Sequence, residues 1–353
     1  MKQLNIAIIG QGRSGRDIHA KYLTQASDKY KIVYTVEAIA ERRVKAEKEL
    51  GCPSLPDYKE LLEKKDIDFV VNASFSHQHL PITLDLLDHG FNVLCEKPLA
   101  HTAAQVNELI DKQKQRGKML AIFQQSRFAP YFEQVKKIIS SGILGRIVQI
   151  GVQFNGYARR WDWQTLQEYG GGSLYNTGPH PVDQVLNLLD YEGNPNVFCK
   201  MDRVNTWGDA EDYVKLIITD PDKPLIDVEI SSCDAYPSFT YNIHGSTGGL
   251  KGDMKEIKWR WFDPSQSPDQ KLLRAPLHDN DWNPLYCRES ISWNEDAWKG
   301  DETAVFSDAV ARLYDTVYDH LVNGKPLIVT AEQVRQQIWV MEEAHRQNPL
   351  SKL

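Results

Sequence analysis

The sequence predicts an α/β protein in two parts: an N-terminal domain on a parallel sheet over residues 1–125, and a C-terminal α+β domain over 126–353. Three observations carry this. Strand-like and helix-like segments alternate through the first 125 residues, the rhythm of parallel strands joined by right-handed crossovers. Beyond that point, longer β-rich runs follow one another in series, which argues an antiparallel or mixed sheet. The length of 353 residues also suits two domains at about 150 residues each.

Element by element, Leu4–Ile9 is an apolar strand ending at Gly10, and Arg13–Gln25 reads as a helix. Lys31–Val36 is strand-like, and Glu41–Leu50 is a helix stopped by Gly51, glycine being the residue that most readily takes the left-handed C-terminal position. Asp57–Glu63 gives a short helix, Asp68–Ala73 a buried strand, and Leu80–Asp88 a helix stopped by Gly90. Asn92–Cys95 is a strand, Ala103–Arg116 a helix stopped by Gly117, and Met119–Phe123 a strand. In the second part, a helix over Pro130–Ser141 precedes strands at Ile147–Phe154, Asn196–Val204, Asp212–Thr219, Leu225–Ser232 and Phe239–His244. Thr247-Gly248-Gly249 offers a hairpin turn. One helix, Ser173–Leu189, interrupts the strands, and Pro179 and Pro181 start or kink it near its middle. Residues 262–300 read as a long loop, and helices Thr303–Val322 and Ala331–Gln347 close the chain.

Composition excludes several classes. Apolar residues make up 41% and charged residues 25%, ordinary for a globular chain. Lys and Arg total 41 against 48 for Asp and Glu. The mildly acidic balance argues against a nucleic-acid partner, which needs a concentrated basic face. No apolar run reaches the roughly 18 residues of a bilayer span, and the N-terminal stretch lacks the long apolar core of a secretory leader. Cys52, Cys95, Cys199, Cys233 and Cys287 are scattered and odd in number, which reads as reduced thiols in a cytoplasmic protein. No metal site is expected: the histidines show no HExxH pattern and the cysteines no ligand pairing.

Gly10-Gln11-Gly12-Arg13-Ser14-Gly15 is a GxGxxG between the first strand and the first helix. The first glycine permits a tight turn, the second lets backbone approach a pyrophosphate, and the third lets helix and strand pack closely. The helix N-terminus then offers free N–H groups to phosphate. Glu37 lies 22 residues after Gly15, at the end of the second strand. A carboxylate there accepts hydrogen bonds from the adenosine ribose. The expected cofactor is therefore NAD. Arg42 and Arg43, at the start of the next helix, keep NADP possible by offering a phosphate counter-charge.

Further motifs carry a resemblance. Glu96-Lys97-Pro98 follows the Val93–Cys95 segment; Ala73-Ser74-Phe75-Ser76-His77-Gln78-His79 precedes it; Gly170-Gly171-Gly172-Ser173-Leu174-Tyr175-Asn176-Thr177-Gly178-Pro179-His180-Pro181-Val182-Asp183 lies downstream. These resemble, in order, the Glu-Lys-Pro, ATPNxxH and GGGxLxDxGxHxxD blocks of the glucose–fructose oxidoreductase/inositol dehydrogenase (Gfo/Idh/MocA) family. Phe75 replaces the family Pro and Ser76 its Asn. Arg127-Phe128, Ser141–Gly145 and Gly324-Lys325-Pro326-Leu327 match further positions. The resemblance implies a Rossmann domain followed by a domain with an open, mostly antiparallel sheet. It implies NAD(P)-dependent hydride transfer to or from a secondary alcohol of a sugar, inositol or related polyol. It also implies a homodimer or homotetramer joined through the open sheet faces. Lys97 and His180 match the family's catalytic residues, and Ser74, Ser76, His79 and Glu96 join Arg13 and Ser14 on the cofactor side.

The residue chemistry agrees. Alcohol oxidation needs an acceptor for the hydroxyl proton. A free lysine, with a pKa of about 10.4, must be lowered by burial or a neighbouring cation to serve. His180 is the second acceptor. Asn176 and Asp183 stand four before and three after it, spacing that lets all three share a helix face. Asn176 departs from the family's usual Asp and carries no charge. Arg159, Arg160, Trp161 and Trp163 are candidate substrate contacts, since Trp stacks on sugar C–H faces and Arg binds hydroxyls or carboxylates. Trp282, Asn283, Tyr286 and Arg288 are weaker candidates. Two alternatives stay open: a glycoside hydrolase or lyase with tightly held NAD acting by transient oxidation, and a cofactor-binding regulator without turnover.

Overall fold

The structure is a computed structural model, and it describes residues 2–190, 193–301 and 305–352. The first sheet contains β1 (Leu4–Ile9), β2 (Tyr30–Val36), β3 (Ser54–Leu55), β4 (Phe69–Asn72), β5 (Val93–Cys95) and β6 (Leu120–Ile122), in the order β3-β2-β1-β4-β5-β6. All its pairings are parallel. Order runs outward both ways from β1, so the crevice beyond the carboxyl ends of β1 and β4 is the switch point where such sheets bind ligands. Buried strands in such a sheet need apolar side chains on both faces, and every residue of β4 and β5 is buried.

Helices cover both faces. The helix after β1 has π geometry over Arg13–Ala20 before continuing as α1 (Lys21–Gln25). It is followed by α2 (Ala40–Leu50), α3 (His79–Asp88) and α4 (Ala103–Arg116). Thr102 and Gln105 form a capping box on α4, and Gly117 ends it in the left-handed region at φ +60°, as the sequence predicts. The short helix expected over Asp57–Glu63 is a 3₁₀ turn, Tyr58–Leu61, capped by the Asp57 carboxylate.

After α5 (Pro130–Ser140), a second sheet follows in the order β16-β13-β12-β11-β7-β10-β9-β8. Its strands are β7 (Ile147–Asn155), β8 (Asn196–Asp202), β9 (Tyr213–Thr219), β10 (Leu225–Ser231), β11 (Tyr241–Gly245), β12 (Gly248–Gly252), β13 (Glu256–Trp261) and β16 (Asn294–Lys299). β7 and β10 pair in parallel, and the other pairings are antiparallel. Alternating burial along β9 and β10 leaves one face on the core and one open, as expected for a sheet covered on one side. A two-stranded hairpin, β14 (Leu277–His278) with β15 (Pro284–Leu285), stands apart from both sheets.

Several expectations are corrected. The helix expected over Ser173–Leu189 is two pieces, α6 (Ser173–Asn176) and α7 (Pro179–Leu188). Pro179 brings no N–H to continue the first piece and is well placed to start the second. Asn176 and His180 therefore do not share a helix face. The segment read as loop, 262–300, contains β16, which pairs with β13. Gly248 and Gly249 lie in β12 rather than in the turn, which is formed by Ser246 and Thr247. The penultimate helix, α8, is described over Val305–Asn323, and Thr303 and Ala304 of its expected start lie outside the described residues. The last helix, α9 (Ala331–Gln347), has the expected bounds and its own capping box of Thr330 and Gln333.

The two closing helices return to the first sheet: α9 packs against α4 and β6 as well as α7 and β8, and α8 packs against α1 and the Gln125–Phe128 turn. Arg127, in that turn, is 3% exposed and donates to both oxygens of Asp183 on α7. Breaking such a pair leaves an unpaired buried charge, at a cost of about 3–5 kcal/mol. Asp183→Ala is therefore expected to lower the unfolding free energy by about that amount in denaturant titrations. A loss below about 1 kcal/mol, the range of exposed pairs, would show that this contact does not hold the turn against α7.

Candidate active site

The glycine-rich turn is shaped by contact. Gly10 has φ +88°, and a Cβ there would lie 2.3 Å from the Ala73 carbonyl oxygen; one at Gly15 would lie 1.8 Å from the Gly10 carbonyl. These two glycines let the turn cross β4 and the helix close on β1. Gly12 differs. A Cβ there meets nothing within 4 Å, and its φ of −76° suits any residue. The chain itself gives no steric reason for this glycine. A backbone kept bare in open space at a helix N-terminus fits a pyrophosphate approaching closely. Arg13 is exposed, and Ser14 is half-buried beside it.

Glu37 sits where the sequence places it, just past β2, and is 8% exposed. Its Oε2 accepts from the Gln11 N–H at 2.9 Å and its Oε1 from the Ile39 N–H at 3.0 Å. The carboxylate is thus fixed beside the glycine-rich turn. Arg42 approaches Oε2 at 3.8 Å. Arg43 instead donates to the carbonyls of Glu37 and Ala38, both at 2.8 Å.

After β4, Asn72 Oδ1 accepts from the Ser74 hydroxyl at 2.7 Å. Ser76 opens the 3₁₀ turn Ser76–Gln78. His79 is 2% exposed and bridges two loops, Nδ1 lying 2.7 Å from the Pro98 carbonyl and Nε2 3.1 Å from that of Ser74. Burial pushes its pKa down, against the opposing pull of the Pro98 carbonyl and Glu96. His79 therefore braces the Ser74 turn against the Lys97–Pro98 turn, whose peptide bond is cis.

Lys97 leaves β5 half-buried, and its Nζ donates to the Asn176 main-chain carbonyl at 2.7 Å. Burial lowers its pKa; Glu96 opposes this and Arg13 adds to it. Glu96 is 5% exposed and accepts from the Lys97 N–H at 3.1 Å. Burial alone would raise its carboxyl, but His19, Lys97 and His79 outweigh that and hold it at about 2.

His180, in the first turn of α7, faces the Ser126 hydroxyl through Nδ1 at 3.0 Å. Its Nε2 has no hydrogen-bond partner among the described residues. Burial and the nearby Lys97 charge push its pKa down to about 3, against the pull of Glu96. Lys97 from the first sheet and His180 from the second domain's helix thus stand within electrostatic reach, and the Asn176 carbonyl, four residues before His180, accepts from Lys97. The Asn176 side chain donates to the Gln164 carbonyl at 3.0 Å, so it is its main-chain oxygen that meets Lys97.

The other expected residues are more dispersed. Asp183 is 2% exposed with both oxygens committed to Arg127, which makes it a packing pair rather than a free ligand. Trp163 meets Phe75 edge-on at 4.8 Å, with Tyr169 and His77 alongside. This aromatic group joins the Ser74–His79 segment to the second domain. Arg159 lies over the Trp207 ring at 4.5 Å, Trp161 is 76% exposed beside it, and Arg160 pairs with Asp162 at 2.9 Å. Asn283 binds Asp279 on the separate hairpin, and Trp282, Tyr286 and Arg288 are exposed there. Among the described residues, no group of three or more His, Cys, Asp or Glu side chains is placed to hold a metal ion. The five cysteines are free, and no described helix is long and apolar enough to cross a membrane.

Sequence reasoning missed His19 and Tyr314. His19 is fully buried, with Nε2 3.2 Å from Glu96 Oε1 and Nδ1 2.7 Å from the Tyr314 hydroxyl. A histidine on the buried face of the glycine-rich helix is a weak signal for the first, and nothing local marks the second.

Comparison with known proteins agrees with this geometry. Residues 4–124 match the oxidoreductase family with an NAD-binding Rossmann fold, and residues 132–251 match the Gfo/Idh/MocA C-terminal domain. The chain belongs to the Gfo/Idh/MocA oxidoreductase family and is an NAD-dependent oxidoreductase. An uncharacterized oxidoreductase of Schizosaccharomyces pombe is 28% identical over 80% of this chain and 76% of its own length. The D-glucoside 3-dehydrogenase of Escherichia coli is 30% identical over 53% of this chain and 54% of its own. The crystal structure of GenD2 from gentamicin A biosynthesis, in complex with NAD, superposes with a TM-score of 0.79 at 21% identity, covering 98% of this chain and 94% of that one. At that identity the likeness is one of fold.

The different surroundings of the three glycines give a direct expectation. Gly12→Ala should fold with unchanged thermal stability and lose NAD binding at least tenfold by calorimetric titration. Gly10→Ala should instead lower the melting temperature, because its Cβ meets backbone. Unweakened NAD binding in Gly12→Ala would mean that no phosphate lies against that backbone.

Proposed function

We propose that this protein oxidises a secondary alcohol of a sugar or related polyol, with Lys97 and His180 handling the hydroxyl proton. NAD, when bound, takes the hydride. The observation that carries this reading is the meeting of Lys97 Nζ with the main chain of Asn176, four residues before His180. Burial lowers the Lys97 pKa, toward the neutral amine that a proton acceptor needs. His180, held near a pKa of 3, is neutral at working pH and suited to hydrogen-bond the hydroxyl or relay its proton. The exposed Arg159 and Trp161 supply a donor and an aromatic face suited to a hydroxylated ring. The D-glucoside 3-dehydrogenase relative supports a sugar substrate.

The same reading extends to cofactor choice, assembly and setting. A buried Glu37 carboxylate held by two N–H groups favours the ribose hydroxyls of NAD over the added charge of NADP, and Arg43 is already engaged with carbonyls. The open face of the eight-stranded sheet suits pairing of copies as a homodimer or homotetramer, with domains divided near residue 125. Five free thiols suit the cytoplasm.

Lys97→Met should lower kcat for NAD reduction by about two to four orders of magnitude while leaving NAD affinity within a few-fold. Following 340 nm absorbance across a panel of sugars and polyols measures both wild type and variant. Near wild-type turnover would remove Lys97 from the chemistry. Separately, wild type should prefer NAD over NADP by about ten- to hundred-fold in kcat/KM, the effect of one hydrogen bond to a charged group. Glu37→Ser should erase most of that preference, and an unmoved ratio would exclude Glu37 as the ribose ligand.

A further inference from the structure

The buried carboxylate beside Lys97 has a partner chain that the proton-transfer reading does not use. Glu96 Oε2 accepts from the Lys97 N–H, and Oε1 lies 3.2 Å from His19 Nε2. A buried charge needs partners on both oxygens. Held ionised, Glu96 can only accept, so the His19 proton resides on Nε2. In that tautomer of the uncharged ring Nδ1 presents a lone pair to the Tyr314 hydroxyl, 2.7 Å away. Burial keeps that phenol protonated, well above its usual range. In that tautomer the bonds run in one direction: Tyr314 O–H to His19 Nδ1, and His19 Nε2–H to Glu96.

The chain has little freedom to rearrange. His19 and Tyr314 are both fully buried. The His19 ring meets Phe123 edge-on at 4.4 Å. Tyr314 stacks on Tyr22 at 4.8 Å, and its carbonyl accepts from the Tyr30 hydroxyl at 2.7 Å. Its three members come from the glycine-rich helix, the end of β5, and α8 near the end of the chain.

We propose that Tyr314 and His19 are positioning residues for the lysine: they pin the Glu96 carboxylate under the Lys97 turn, and so fix both the aim and the proton affinity of the amine. The proposal rests on the reading of Lys97 as proton acceptor. The charged and titratable groups facing Lys97 are Glu96, which raises its proton affinity, Arg13, which lowers it, and His180 across the cleft. Those facing Glu96 are His19, Lys97, His79 and Tyr314. A Glu96 that swings free, or loses its charge, leaves Lys97 with Arg13 and burial unopposed.

The test needs neither substrate nor cofactor. In full-length protein labelled with ¹³C at lysine Cε, the Lys97 resonance is assigned by its absence in Lys97→Arg and titrated by NMR. Glu96→Gln should lower the Lys97 pKa by about 1–3, the effect of an opposite charge at close range. Tyr314→Phe should lower it by a smaller, measurable amount. Tyr30→Phe, which removes a neighbouring buried hydroxyl bonded to the same residue's carbonyl, should leave it unmoved. In ¹⁵N spectra of the wild type, neutral His19 should carry its proton on Nε2. A Lys97 titration unmoved by Tyr314→Phe, an equal shift in Tyr30→Phe, or a wild-type His19 proton on Nδ1 would each overturn the proposal. If Tyr314→Phe does not fold, the wild-type tautomer still decides. Retained turnover in Lys97→Met would sink the catalytic reading alone, so the two ideas fail separately.

Discussion

An ionised carboxylate, Glu96, sits 5% exposed at the end of β5, and most of the site follows from satisfying it. Such a charge is tolerated only when its oxygens are bonded and opposite charge is near. The chain meets that demand by drawing in the Lys97 main chain and the His19 ring, with the Lys97 ammonium near enough to help hold it ionised. The His19 bond ties β5 to the glycine-rich helix. His79, through the Ser74 and Pro98 carbonyls, ties the turns after β4 and β5 to each other. The cofactor turn and the lysine turn are thereby fixed relative to one another.

The second domain completes the site through main chain more than side chain. Glu211, 3% exposed, accepts from the Leu174 N–H at 2.9 Å and caps α6. His345 on α9 approaches its other oxygen at 3.7 Å and stacks on Tyr175 at 4.5 Å. These contacts hold the short helix whose last residue, Asn176, turns its carbonyl to Lys97. Asn176 suits its place because its side chain's partner is the Gln164 carbonyl, which requires a donor.

Local signals were the legible ones. GxGxxG, Glu37 and Glu-Lys-Pro each lie at a strand end, and the structure puts them at carboxyl ends of one parallel sheet. Strand and helix bounds in the first domain, α4 among them, and those of α9 in the second are close to those read from apolar runs and stop signals. Alternation in Glu256–Trp261 (EIKWRW) is a strand signal that can be read, whereas Asn294–Lys299 is mostly polar and becomes a strand only by pairing with β13. The break between Asn176 and Pro179 undid the shared-face argument, and Arg127, distant in sequence, claimed Asp183. His19 and Tyr314 are 295 positions apart, and no local pattern encodes such a pairing.

Movement of hydrogen from carbon to NAD tests the central claim most directly. Purified protein would be incubated with NAD and with sugars and polyols deuterated at their secondary carbons, methyl glucosides and inositols among them. Mass spectrometry would then follow the label. The account requires deuterium to appear in free reduced NAD, in step with a ketone on the sugar or polyol. Label that never leaves carbon in NAD-saturated protein, or a cleaved glycoside formed with no net reduced NAD, would contradict it.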